Sequence, residues 1–174
     1  MTSESPAGLF QGLFETHLHV ADLEMAMKFY GEVLGLELGL KETKRRAAFY
    51  WIGPNRSAML GLWAEPPWVP AGTGKPIRQQ HLAIDVDFEN LPAVIDRLKR
   101  NGIEVRNFFD HITDEPSVFG WMPAASIYFN DSDGHLLELI AMLDGQPAAD
   151  IGVVSLSQWE IISGPPASRG RSPI

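Results

Sequence analysis

The sequence predicts an α+β fold in which one β-α-β-β-β unit is used twice. Two observations carry this. The same succession of strand, helix, glycine stop and three strands reads on both sides of a Pro/Gly-rich stretch at 65–75. At 174 residues and 45% hydrophobic content, the chain can bury one full-sized core assembled from two half-domains. The expected division is a first unit at 9–64, a connector at 65–79, a second unit at 80–143 and a Pro/Gly-rich strap and tail at 144–174.

The first unit opens with a strand at 13–20 whose alternation is strict. Phe14, Thr16, Leu18 and Val20 form an apolar face, while Glu15, His17 and His19 line the other. Asp22 is placed to cap a helix in which Leu23, Ala26, Met27, Tyr30, Val33 and Leu34 recur at helical spacing. Gly35 stops it where a left-handed residue is wanted. Strands follow at 36–40, 47–52 and 58–63, separated by a basic turn at 41–46 and a turn at 53–55.

The second unit repeats the order. A strand at 80–86 has His81, Ala83 and Asp85 on one face. The helix at 90–100 carries Leu91, Val94, Ile95 and Leu98 as its stripe, with Pro92 confined to the first turn. Lys99 and Arg100 suit its C-terminal dipole, and Gly102 ends it. Strands are expected at 103–109, 125–129 and 135–142. An insertion at 110–123, with His111, Asp114, Glu115 and Trp121, reads as a lid or partner contact. Beyond 144, an apolar patch at 153–162 around Trp159 is expected to dock as a strap, and 167–174 to be disordered.

Charge and composition exclude several functions. A net charge of -8 opposes nucleic acid and anionic membrane surfaces. With no cysteine there is no disulfide framework and no thiolate ligand or nucleophile. The N-terminal residues lack a signal-peptide pattern and no apolar run approaches membrane-spanning length, so a soluble cytoplasmic protein is expected.

The chemistry concentrates in 131–140, where an Asp/Gly turn runs into an apolar strand that contains Glu138. A carboxylate buried there needs a cationic side chain, a cluster of donors or a metal. The internal repeat aligns Glu15 with His81, and Gly61 with Glu138. Trp63 shares a strand face with Met59 and Gly61.

Val20-Ala21-Asp22-Leu23, Phe29-Tyr30 with Val33-Leu34-Gly35-Leu36, the strand at His81 and the run from Asp131 to Glu138 carry a family likeness. On these motifs the chain resembles the vicinal oxygen chelate superfamily of glyoxalases, bleomycin-resistance proteins and extradiol dioxygenases, over about residues 13–143. The resemblance implies two paired βαβββ modules around a U-shaped cleft that holds one divalent metal ion (Zn, Ni, Mn, Co or Fe(II)). Position by position, the implied metal ligands are Glu15, His81 and Glu138. The family's fourth ligand position is Gly61 here, and its first, most often His, is Glu15. His17 is the candidate catalytic residue for proton transfer, or a replacement ligand. His19, Trp63 and Trp121 are candidate substrate-binding residues. The implied function is a metal-dependent lyase or isomerase, or an addition enzyme, that chelates a small oxygenated substrate as a homodimer. Two alternatives stand beside it: a metal-free, bleomycin-resistance-like binding protein, and an Fe(II) extradiol dioxygenase using His17, His81 and Glu138.

Overall fold

The computed structural model describes residues 12–68 and 77–164. Two mixed sheets organise it. The first has strand order β1-β4-β3-β2, from β1 (Glu15–His19), β2 (Glu37–Glu42), β3 (Ala47–Ile52) and β4 (Ala58–Trp63). The second runs β5-β8-β7-β6-β9, from β5 (His81–Asp85), β6 (Ser117–Phe119), β7 (Ala124–Asn130), β8 (Leu136–Met142) and β9 (Val153–Ser155). In each sheet the first strand is an edge strand lying parallel to the unit's last strand, β1 on β4 and β5 on β8. The expected α+β architecture of two related units is present.

The helices lie between these sheets in one shared core. α1 (Leu23–Met27) starts at Asp22, whose carboxylate accepts from the Glu24 and Met25 amides. It continues as a wider π turn over Lys28–Val33, where the sequence predicts an unbroken α-helix. α2 (Leu91–Arg100) buries Leu91, Ile95 and Leu98. Phe29 from the first unit and Phe129 from the second meet with ring centroids 6.4 Å apart, and both are buried. Each such side chain contributes roughly 1.5–3 kcal/mol by leaving water. Polar contacts fix the two units further: the Tyr30 hydroxyl donates to Asp131 at 2.7 Å, and the Arg97 guanidinium donates to the Val33 and Glu32 carbonyls.

The second unit departs from the predicted repeat in one place. No strand forms at 103–109. Arg106 alone bridges to Ile112 and Tyr128, because the Asn107 side chain accepts from the Phe109 and His111 amides and curls the chain into a turn, with Asp110 at φ 61°. The vacant ladder position is taken by β6, which lies within the expected 110–123 insertion. That segment is therefore part of the sheet and not a lid. It is fastened by Lys99 to Asp114 and by the Ser157 amide to Glu115. Those bonds also hold the Glu115 carboxyl below its usual range, Ser157 being the main cause.

The expected apolar face of the first strand also starts late. Leu18 and Val20 are buried, but Phe14 is exposed. After β8, β9 pairs with β6 and leads through a capping box at Ser155 into α3 (Leu156–Ser163), which buries Trp159. The tail expected to be disordered at 167–174, and 69–76 of the expected connector, lie outside the described residues.

Candidate metal centre

Each sheet brings one carboxylate and one histidine together. On the second sheet, alternation along β7 sets Ser126 and Tyr128 on the face shared with Glu138 of β8, with Tyr128 and Glu138 directly opposed. Glu138 is buried and fully engaged. Its Oε1 accepts from the Ser126 hydroxyl at 2.5 Å and the Tyr128 hydroxyl at 3.1 Å, and its Oε2 lies 3.0 Å from His81 Nε2. Burial and then the Glu138 charge push the Tyr128 phenol well above its usual range, so it stays protonated and keeps donating. The His81 ring stacks on Tyr128 and its side chain is half exposed. The carboxylate is thus anchored by two hydroxyls at one oxygen and paired with the half-exposed His81 at the other.

On the first sheet, β1 and β4 align Glu15 with Met59, His17 with Gly61 and His19 with Trp63. His17 Nε2 faces Glu15 Oε2 at 3.5 Å. Its Nδ1 accepts from the Trp63 indole N–H at 3.0 Å. Phe49, Trp63 and Trp68 surround the imidazole, with ring centroids 5.4–6.3 Å from it.

Within one chain these two pairs stay apart. The N-terminal half of β1 faces the C-terminal half of β5 across a groove of about 390 Å³, lined by Glu15 on one side and Ala83 and Asp85 on the other. At the far end, His135 donates from Nε2 to the His19 carbonyl and accepts at Nδ1 from the Gln80 amide. The strands therefore run oppositely, with Glu15 beside Asp85 and His19 beside Gln80. Among the described residues, no three His, Asp or Glu side chains of one chain form a metal-holding group.

The other sequence candidates fall as follows. His19 ends β1 on the Glu15 face, its carbonyl tied to His135. Trp63 is buried and belongs to the His17 cluster. Trp121 stands exposed in the turn between β6 and β7, on the side of the second sheet away from β5. Sequence reasoning missed Ser126, Tyr128 and Trp68. The first two were legible as alternate residues on the strand next to Glu138, while Trp68 had no periodic signal in a Pro-rich stretch.

Comparison with known proteins settles the family. The sequence profile of the Glyoxalase/Bleomycin resistance protein/Dioxygenase superfamily matches residues 12–139. The chain belongs to this superfamily. A probable lactoylglutathione lyase of Vibrio cholerae is 29% identical over 133 residues, covering 74% of this chain and 88% of that protein. The crystal structure of an integron cassette protein from the mobile metagenome of a Halifax Harbour sewage outfall superposes with a TM-score of 0.63 at 32% identity. It covers 76% of this chain and 100% of the other. Lactoylglutathione lyase from Agrobacterium tumefaciens superposes with a TM-score of 0.55 at 25% identity, covering 75% and 93%. Superfamily members bind small-molecule substrates, are often dimers and usually hold a divalent metal. No helix among the described residues is long and apolar enough to cross a membrane.

His81 and Glu138 offer two donor atoms to such an ion, fewer than a metal-holding group within one chain requires. The buried carboxylate has one oxygen saturated by two hydroxyl donors, while the other oxygen faces an imidazole nitrogen on a half-exposed surface. That is a mixed oxygen and nitrogen donor set, compatible with several divalent transition ions.

Proposed function

We propose that the protein is a metal-dependent, glyoxalase-like enzyme whose site joins Glu15 of one chain to His81 and Glu138 of a second copy. The observation that carries this reading is the anchored His81–Glu138 pair, matched on the first sheet by Glu15 at the strand position equivalent to His81, with no three such residues of one chain clustered among the described residues. Three protein ligands are needed for a tight site with an open position, and neither pair supplies them alone. A symmetric association of two copies produces two equal sites.

When bound, the ion supplies Lewis acidity toward two adjacent oxygens of a small substrate. The chain's own residues do the rest. Ser126 and Tyr128 hold Glu138 in place, His81 and Glu138 supply ligand atoms, and the Phe49, Trp63 and Trp68 rings wall the Glu15 side and exclude water. The relatives named lactoylglutathione lyase support isomerase or lyase chemistry on an α-hydroxycarbonyl-type substrate above addition or ring cleavage.

The test is metal titration of chelator-stripped protein with Zn(II), Ni(II), Mn(II), Co(II) and Fe(II), paired with turnover of the hemithioacetal of methylglyoxal and glutathione. One ion per chain, with turnover restored by it, is expected. Absence of tight binding by all five ions contradicts the reading and favours a metal-free binding protein. Activity on a catechol with Fe(II) alone favours the dioxygenase.

A further inference from the structure

We propose that His17 is a positioning residue. Trp63 locks its ring over Gly61 as the Nε2–H tautomer, which places that nitrogen beside the Glu15 carboxylate and steadies it electrostatically. The inference deepens the metal reading above and rests on Glu15 being a ligand.

Space comes first. His17 and Gly61 are direct cross-strand partners, and the imidazole lies over the glycine. A Cβ at position 61 would sit 2.2 Å from His17 Nδ1, 2.9 Å from Cε1 and 3.1 Å from Trp63 Nε1. The ring thus fills the volume that a side chain at 61 would need. Any residue but glycine there evicts His17 and disturbs Trp63 together.

The tautomer follows from the partners. Indole N–H is only a donor, so His17 Nδ1 must be the acceptor, and the single proton of the neutral ring then stands on Nε2. Nε2 is the atom nearest Glu15 Oε2, 3.5 Å away, beyond an ordinary hydrogen bond and within reach of an electrostatic attraction. Neither nitrogen keeps a free lone pair. A metal ligand or a general base needs one on one of the two nitrogens. The geometry therefore removes His17 from both roles and gives it a different one, with Phe49, Trp63 and Trp68 packed around the ring to keep it still.

The second sheet shows what this replaces. There the carboxylate at the position equivalent to Gly61 is Glu138, and the residue opposite it is the small Ala83. In the first sheet the large and small residues are exchanged, so the group supporting the ligand reaches across from β1.

The experiment reads the tautomer and the metal separately. In metal-free protein labelled with ¹⁵N-histidine, long-range ¹H–¹⁵N correlations are expected to report Nε2–H at His17, and Trp63→Phe to turn it into a tautomer mixture. By chelator competition, Trp63→Phe is expected to weaken Zn(II) binding about tenfold, the scale of lost outer-shell support. Were His17 a ligand, freeing Nδ1 to take the proton would tighten binding instead. Gly61→Ala should weaken binding as much as His17→Ala and add nothing in the His17→Ala background. His17→Gln, whose amide can still donate toward Glu15, should retain most of the affinity. An Nδ1–H tautomer in the wild type, or tighter binding by Trp63→Phe, overturns the proposal. Wild-type protein that binds no Zn(II) yet shows Nε2–H overturns the metal reading while leaving the Trp63–His17–Glu15 geometry supported.

Discussion

The two sheets solve one problem in opposite ways. In the second, the carboxylate is on the last strand, buried, and fixed by hydroxyls from the neighbouring β7. In the first, the carboxylate is on the edge strand, its side chain about one-third exposed, and its nearest support is a histidine two residues along the same strand. The two sheets share a backbone frame but carry their carboxylates at different positions in it: Glu15 stands where the second sheet has His81, and Glu138 stands where the first has Gly61. Anchoring differs accordingly. Glu138 sits in a place where loss of its partners is costly, whereas Glu15 can adjust, and the two halves should respond unequally to matched substitutions.

Glu138→Gln should produce the largest effect. Losing a ligand should exceed the 10–100-fold penalty typical of outer-shell changes, so Zn(II) affinity falls by more than about 100-fold. Circular dichroism should stay unchanged, since the amide still accepts from Ser126 and Tyr128. Full metal occupancy in this variant would remove Glu138 from the site. Glu15→Gln is the matched change in the more exposed half, and chelator competition should show a loss of about 30-fold, smaller than for Glu138. Equal losses would mean that the two halves are not as unequal as their burial implies. Ser126→Ala keeps both ligands but takes away a hydroxyl from a buried carboxylate. Urea unfolding should show a loss of about 1.5–3 kcal/mol, with metal affinity down about tenfold. The smallest effect on the metal is expected for Tyr30→Phe, which deletes the bond to Asp131 joining the halves. The Asp133 and His135 amides hold the other oxygen, Oδ1, so buried Oδ2 loses this donor and the cost should be about 1.5–3 kcal/mol, with metal affinity untouched.

Much of this was legible in the sequence. Apolar runs bounded by turns placed 47–52 and 58–63 correctly, and Asp22, Gly35, Pro92 and Gly102 marked the helix ends, because caps and stops depend on local backbone chemistry. Glu138 stood out because a carboxylate in an apolar strand demands partners. The strand at 103–109 misled because apolar residues there satisfy the pattern while Asn107 redirects the chain through its own side chain. The separation of Glu15 from His81 was beyond reach, since it depends on how the edge strands pass each other. The role of Gly61 was hidden for a related reason. A glycine in a strand reads as a missing ligand until the ring lying on it is seen.

The most direct test of the central claim, a metal site shared between two copies, is subunit complementation. Glu15→Gln protein keeps an intact second sheet and Glu138→Gln protein an intact first sheet. Mixed, unfolded and refolded together, they should regain tight Zn(II) binding at about one site in four, because each mixed dimer rebuilds one intact site and one doubly altered site. No recovery above the separately refolded variants, with mixed dimers demonstrated by a mass tag, would contradict the account and return the ligands to a single chain.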